Sequence, residues 1–280
     1  MAKVVDASFS AMVYRYYAGW ADKIKGHVSP IEGNFNLSTR KEPVGVVGQV
    51  IPWNFPLVMQ SWKLAPALAA GCKVVMKSAE QTPLSALKIA ELIKEAGFPD
   101  GVVNIISGEG DTGAYLVRHP GIDKVAFTGS TEVGYDIMRN CHEKNLKRVT
   151  LELGGKSPLI VTKNANIQKS LDQACNAVFF NAGQACNAGS RTYVHSSIYD
   201  QFVEEAAKRA KNIKLGHSLT EGTEQGPLVS KEQMNKVLGY IDYGKKNAKL
   251  VTDTGRWGDK GWYVKPTVFA DVKDEHLIAQ

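Results

Sequence analysis

Cys186 stands in a loop of small residues, Asn181-Ala182-Gly183-Gln184-Ala185-Cys186-Asn187-Ala188-Gly189-Ser190-Arg191, which leaves one thiol open to attack a carbonyl. A lone cysteine is more often a small buried apolar residue, and Cys72, Cys141 and Cys175 are read that way. Glu152 ends the run RVTLEL and is followed by Gly154 and Gly155, so little side-chain bulk shields its carboxylate from a cleft. Ile51-Pro52-Trp53-Asn54-Phe55-Pro56 sets an amide side chain between two prolines just past a strand, where an immobilised donor could face a developing oxyanion.

Two glycine runs are candidates for phosphate binding. Gly108, Gly110 and Gly113 in GEGDTG follow a strand and open a helix, as in a dinucleotide fingerprint. No acid closes the next strand, however, and plain turn geometry explains these glycines equally well. The second run, Phe127-Thr128-Gly129-Ser130-Thr131-Glu132-Val133-Gly134, also leads from a strand into a helix N-terminus. Backbone N–H groups and the helix dipole there suit a pyrophosphate, and an ordinary serine-capped helix fits the same residues.

The elements that must position these groups follow from hydrophobic spacing. Phe9, Met12, Val13, Tyr16, Tyr17, Trp20 and Ile24 recur at three and four residues, predicting a helix packed on a core. Residues 26–43 are polar around a Gly33-Asn34 turn and predict a hairpin that either sits in water or lies on another chain. From Val44 strands and helices alternate: VGVVGQVI, a helix over 57–70, KVVMK, a helix with Thr82 as N-cap, Pro83 at its first position and Gly97 past its end, VVNIIS, a short helix, KVAFT, a helix opening at Ser130, and RVTLEL. This predicts an α/β fold with a doubly wound parallel sheet, with ligands at the carboxyl ends of its strands. A glycine hinge after Leu153 begins a second α/β domain with SPLIVT, a helix over 167–180, RTYVHS, an amphipathic helix over 198–213, and weaker strands near Leu250, Tyr263 and Val268.

Composition bounds the function. The chain has 280 residues, 44% hydrophobic and 22% charged, which excludes a disordered tail. Its 34 basic and 28 acidic residues are interleaved, which argues against a nucleic-acid partner; the basic cluster at 144–148 is read as solvated surface. No apolar run reaches membrane-spanning length, and no membrane partner is expected. Four cysteines with no metal-ligand spacing are read as reduced thiols of a soluble intracellular protein with no metal.

Taken together, PWNFP, KSAEQTP, FTGSTEVG, LELGGKSP and GQACNAGSR resemble, in order and spacing, the motifs of the aldehyde dehydrogenase superfamily. The similarity is greatest to the NAD-dependent cytosolic and mitochondrial enzymes that oxidise retinal and acetaldehyde. The resemblance implies NAD-dependent oxidation of an aldehyde to a carboxylic acid, with Cys186 as nucleophile, Glu152 as general base and Asn54 as oxyanion donor. It sets aside GEGDTG as the dinucleotide site. Cofactor contacts would come instead from Ile51, Trp53, Lys77, Glu80, Gly129, Ser130, Thr131, Glu132, Val133, Gly134 and Leu153. Residues 1–153 would form the NAD-binding domain, with 26–43 as an oligomerisation hairpin, and 154–280 the catalytic domain of a homodimer or homotetramer.

The chain departs from the pattern at Ala182 and Ala185, where relatives usually carry Gln and Cys, and at Asn187. The GEGDTG region is one residue short. The resemblance further implies that both domains are incomplete, since the family's EEIFGP segment would begin beyond residue 280, and that residues 1–280 alone would be inactive. Among rival readings, Glu152 argues against release of an acyl-coenzyme A. A catalytically silent nucleotide-binding or structural module is the alternative from another class, and a Cys/His hydrolase using His195 ranks last.

Overall fold

The computed structural model describes residues 2–280, which divide between Leu153 and Gly154 into two compact units. The first begins with a π-helical turn, Ala2–Ala7, continued by α1, Ser8–Ala18. The helix ends at Ala18, two residues before Trp20 and six before Ile24, which the apolar spacing includes. Its buried face also differs from the predicted one. Asp6 and Ser10 are buried and Tyr14 packs into the core, while Phe9, Met12 and Tyr16 are exposed. The inward face is chosen by polar bonds made over long sequence distances, which apolar periodicity does not register.

Strands β1, Val28–Ser29, and β2, Leu37–Ser38, pair antiparallel as the hairpin, and every residue from 26 to 43 is exposed. The alternation follows: β3, Val46–Val50; α2, Pro56–Ala69; β4, Lys73–Lys77; α3, Pro83–Glu95; β5, Val103–Ile106; α4, Gly110–Arg118; β6, Lys124–Gly129; α5, Thr131–Asn140; and β7, Arg148–Leu153. Thr82 does precede α3, but its hydroxyl makes no capping bond, whereas the Ser130 hydroxyl accepts the Val133 N–H at the start of α5.

The five strands form one parallel sheet in the order β5-β4-β3-β6-β7. Both faces are covered, which explains the nearly unbroken apolar runs. Val125 and Phe127 point to one side with Leu116, Val117, Ile137 and Cys141; Val74 and Met76 point to the other with Val58, Met59 and Leu64. Gly134 lets α5 close on the sheet: a Cβ there would lie 2.8 Å from Cδ2 of Leu153.

Lys147 corrects the reading of 144–148 as solvated surface. It is 4% exposed and donates from Nζ to the carbonyls of Val117 and His119, each at 2.8 Å. It thus satisfies acceptors at the end of α4, where a cation also complements the helix dipole. Burial holds its ammonium below the ordinary lysine range.

The second unit pairs β8, Pro158–Val161, in parallel with β9, Arg191–Val194, between which lies α6, Ile167–Phe179. Then come α7, Tyr199–Asn212; α8, Lys231–Asn247; and the short antiparallel pair β10, Lys249–Leu250, and β11, Phe269–Ala270. Tyr263 lies in no strand, although the adjacent Val264 bridges Arg256. Val161, Leu171, Ala174 and Phe202 make one core, and Leu228, Met234, Ile241 and Val264 another. The 17-residue α8, capped by Ser230, was not anticipated. Two glycines dilute its pattern, and Gly244 reads as a breaker although its purpose is close packing: a Cβ there would lie 2.5 Å from the Phe269 ring. No helix among the described residues is long and apolar enough to cross a membrane.

Candidate active site

In the first unit the sheet order reverses between β3 and β6, the arrangement that opens a crevice at the carboxyl ends of the strands. The sequence-predicted residues of this unit gather along that edge. Trp53 and Asn54 occupy the bend between β3 and α2 and are half-buried. Lys77 ends β4, Ser130 follows β6, and Glu152 is the penultimate residue of β7, paired in register with Thr128. Ser130, Thr131, Glu132 and Val133 are exposed at the first turn of α5, where backbone donors and the positive end of the helix dipole meet solvent.

Lys77 and Glu80 form a pair with Nζ and Oε2 3.1 Å apart; Lys77 is buried and Glu80 is exposed. Burial pushes the Glu80 carboxyl up, but its own backbone N–H and the Lys77 ammonium outweigh that and hold it below the usual range. An ionised acceptor is thus fixed beyond the end of β4. Ile51 and Leu153 contribute differently. The Ile51 side chain is 3% exposed within the core, and Leu153 packs against the cluster under α5, so their side chains serve packing. The GEGDTG glycines occupy the turn into α4, with Gly110 as its first residue.

Glu152 is exposed at an edge strand, and α2 carries a charged group within its electrostatic reach that sequence reading passed over. Lys63 of α2 is half-buried. Burial lowers its pKa to about 8, Glu152 draws it upward and Lys124 pushes it down. The signal was a lysine inside the apolar run MQSWKLAPAL.

In the second unit, Cys186 is exposed, whereas Cys72 and Cys141 are buried and Cys175 is half-buried. A turn from Ala185 to Ala188, closed by the Ala188 N–H on the Ala185 carbonyl at 3.1 Å, holds Cys186 at its second position. The approach to this turn is built from left-handed backbone: Asn181 has φ 52° and Ala182 φ 55°. Asparagine tolerates that region; for alanine it costs about 1 kcal/mol. The surroundings hold it there. Ala182 packs against the core beside α8, the Gln184 and Asn181 side chains each donate to the other's carbonyl at 3.1 and 3.3 Å, and Gln184 Oε1 accepts the Val229 N–H at 3.0 Å. Burial raises the thiol pKa of Cys141 and of Cys175, which fits inert packing residues. His195 caps the short helical turn after β9, its Nδ1 accepting the Ser197 N–H at 3.2 Å.

These features have a known counterpart. The aldehyde dehydrogenase family profile matches residues 1–280, and the chain is 56% identical over 279 residues to human mitochondrial aldehyde dehydrogenase, covering 99% of this chain and 54% of that protein. The chain belongs to the aldehyde dehydrogenase family. Human aldehyde dehydrogenase 1A1 is 58% identical over 268 residues, covering 95% of this chain and 54% of that protein. An NAD+ complex of aldehyde dehydrogenase from Bacillus cereus superposes with a TM-score of 0.96 at 52% identity, covering 100% of this chain and 57% of that one. The chain therefore spans just over half the length of the aldehyde dehydrogenases it matches.

Proposed function

We propose that the protein oxidises an aldehyde to a carboxylic acid with NAD as hydride acceptor. The observation that carries this reading is the collection of Asn54, Lys77, Ser130 and Glu152 along the carboxyl edge of one parallel sheet, in a chain whose relative from Bacillus cereus was solved with NAD+. The residues present fit a dinucleotide. The exposed first turn of α5 offers donors for a pyrophosphate, with Trp53 beside the same crevice, and the Glu80 carboxylate offers an acceptor for ribose hydroxyls.

In this reading the Cys186 thiolate attacks the aldehyde carbon, forming a C–S bond and an alkoxide. Asn54 Nδ2 and the Cys186 backbone N–H donate to that oxygen. NAD held at the first turn of α5 and by Glu80 would supply the hydride acceptor for this adduct, which is left as a thioester on Cys186. Glu152 then accepts a proton from water as the water oxygen adds to the thioester carbon. The C–S bond breaks, the Cys186 thiolate is regenerated and the carboxylate leaves. The water-activating role distinguishes this outcome from transfer of the acyl group to a thiol.

Glu80 also sets the cofactor preference, because a fixed carboxylate repels a 2′-phosphate. Titration with both dinucleotides, read by protein fluorescence and by NADH or NADPH formation with a small aldehyde, should show tighter binding of NAD. Glu80→Gln should narrow the gap; tighter NADP binding by the unaltered protein contradicts the assignment.

The hairpin 26–43, exposed throughout and with Val28, Ile31, Phe35 and Leu37 among its exposed side chains, is assigned to subunit assembly in a homodimer or homotetramer. Light scattering at micromolar concentration should give a multiple of the chain mass, and a strictly monomeric mass removes this part of the reading.

A further inference from the structure

We propose that Asp6 is a positioning residue for Asn54, holding the oxyanion donor through the first turn of α2; the proposal rests on the oxyanion reading of Asn54 given above. Asp6 is 7% exposed and lies in the π-helical turn that leads into α1. Its two carboxylate oxygens reach α2 separately: Oδ2 accepts the Leu57 N–H at 3.1 Å and Oδ1 the Val58 N–H at 3.0 Å. The acceptor is needed there. Helix α2 starts at Pro56, which has no N–H, and Phe55 before it provides no side-chain cap, so Leu57 and Val58 carry the first free donors of a partly buried helix end.

The clamp is itself held. Ser10, 5% exposed, donates from Oγ to the Asp6 carbonyl at 2.6 Å, and further along α2 the buried Gln49 of β3 donates from Nε2 to the Lys63 carbonyl at 2.8 Å. Between Asn54 and the clamped amides lie only Phe55 and Pro56, and the fixed φ of proline makes that connection stiff. A shift of the first turn of α2 is therefore passed to the Asn54 side chain. A misplacement of ~1 Å at a reacting group costs ~100-fold in rate.

The test compares Asp6→Ala, Asp6→Asn, Asn54→Ala and the Asp6→Ala/Asn54→Ala double variant in the full-length protein. Asp6→Ala should lower kcat/KM for a small aldehyde by ~10- to 100-fold with the Kd for NAD unchanged, and Asp6→Asn, which keeps one acceptor, should recover part of the loss. In the Asn54→Ala background the same substitution should cost nothing further, because the group it positions is gone. Hydrogen exchange supplies a readout independent of activity: amides of Trp53, Asn54, Leu57 and Val58 should exchange at least ~10-fold faster in Asp6→Ala while those of β3 keep their protection. Where Asp6→Ala fails to fold, Asp6→Asn carries the same comparisons with a smaller expected effect. Unchanged exchange at Trp53 and Asn54, or an equal loss of kcat/KM with and without Asn54, overturns the proposal. If Asn54→Ala leaves kcat/KM intact, the oxyanion reading falls instead, and the exchange data alone decide whether Asp6 orders the turn.

Discussion

Replacing Cys186 by serine is expected to abolish aldehyde oxidation while leaving NAD binding unchanged. The thiol is exposed on a turn whose backbone is fixed by the bonds of Asn181 and Gln184 and by the packing of Ala182, so the substitution alters the nucleophile and little else. A serine hydroxyl is far less acidic than a thiol and, with no base to take its proton, adds slowly to a carbonyl. Loss of an essential nucleophile costs on the order of 10⁴-fold or more in kcat. The cofactor residues assigned here belong to the first unit and do not include Cys186, so the Kd for NAD should hold. Steady-state NADH formation and a fluorescence titration measure the two quantities. Near-normal turnover by Cys186→Ser would remove the covalent mechanism altogether.

Glu152→Gln should separate the two halves of the reaction. The amide is nearly isosteric and retains hydrogen bonding on an exposed edge strand, so the fold and the first half-reaction should survive. Glutamine cannot accept a proton from water, and general-base assistance contributes ~10²- to 10⁴-fold. A single-turnover burst of NADH followed by slow steady turnover is the expected record, and mass spectrometry should find the acyl group on Cys186. A burst-free trace with undiminished steady turnover would reassign the base. Lys63 gives the experiment a second edge. The pKa of its half-buried ammonium is drawn upward by the charge of Glu152, so removing that charge should lower the Lys63 pKa further.

How much of this was legible in the sequence can be judged from particular residues. The strands of the first unit were visible because both of their faces are buried and their apolar runs are continuous. The α5 cap at Ser130 was visible because an exposed N-terminus needs an acceptor and serine supplies one within three residues. Both signals are local. Thr82 occupies a cap position without making the cap bond, and α8 was hidden by Gly239 and Gly244, of which Gly244 accommodates a ring brought from 25 positions away, that of Phe269.

The sequence by itself determined the element types of the parallel sheet and its helices, the α/β class, the family resemblance and the identities of the chemical groups: thiol, carboxylate, amide and glycine-led helix start. Tertiary structure decided where they stand. Only the strand order β5-β4-β3-β6-β7 brings the bend at Asn54, the Lys77–Glu80 pair, the start of α5 and Glu152 to one edge. It also turned Asp6 and Ser10 inward in place of Phe9, Met12 and Tyr16, and it buried Lys147 against the end of α4. The two buried charges, Asp6 and Lys147, share one reason. A local pattern records the average preference of a side chain for water or for oil, whereas a buried charge is stable only where distant backbone donors or acceptors complete its hydrogen bonds. Those partners lie 51 residues from Asp6 and about 30 from Lys147, a separation that only the folded chain closes.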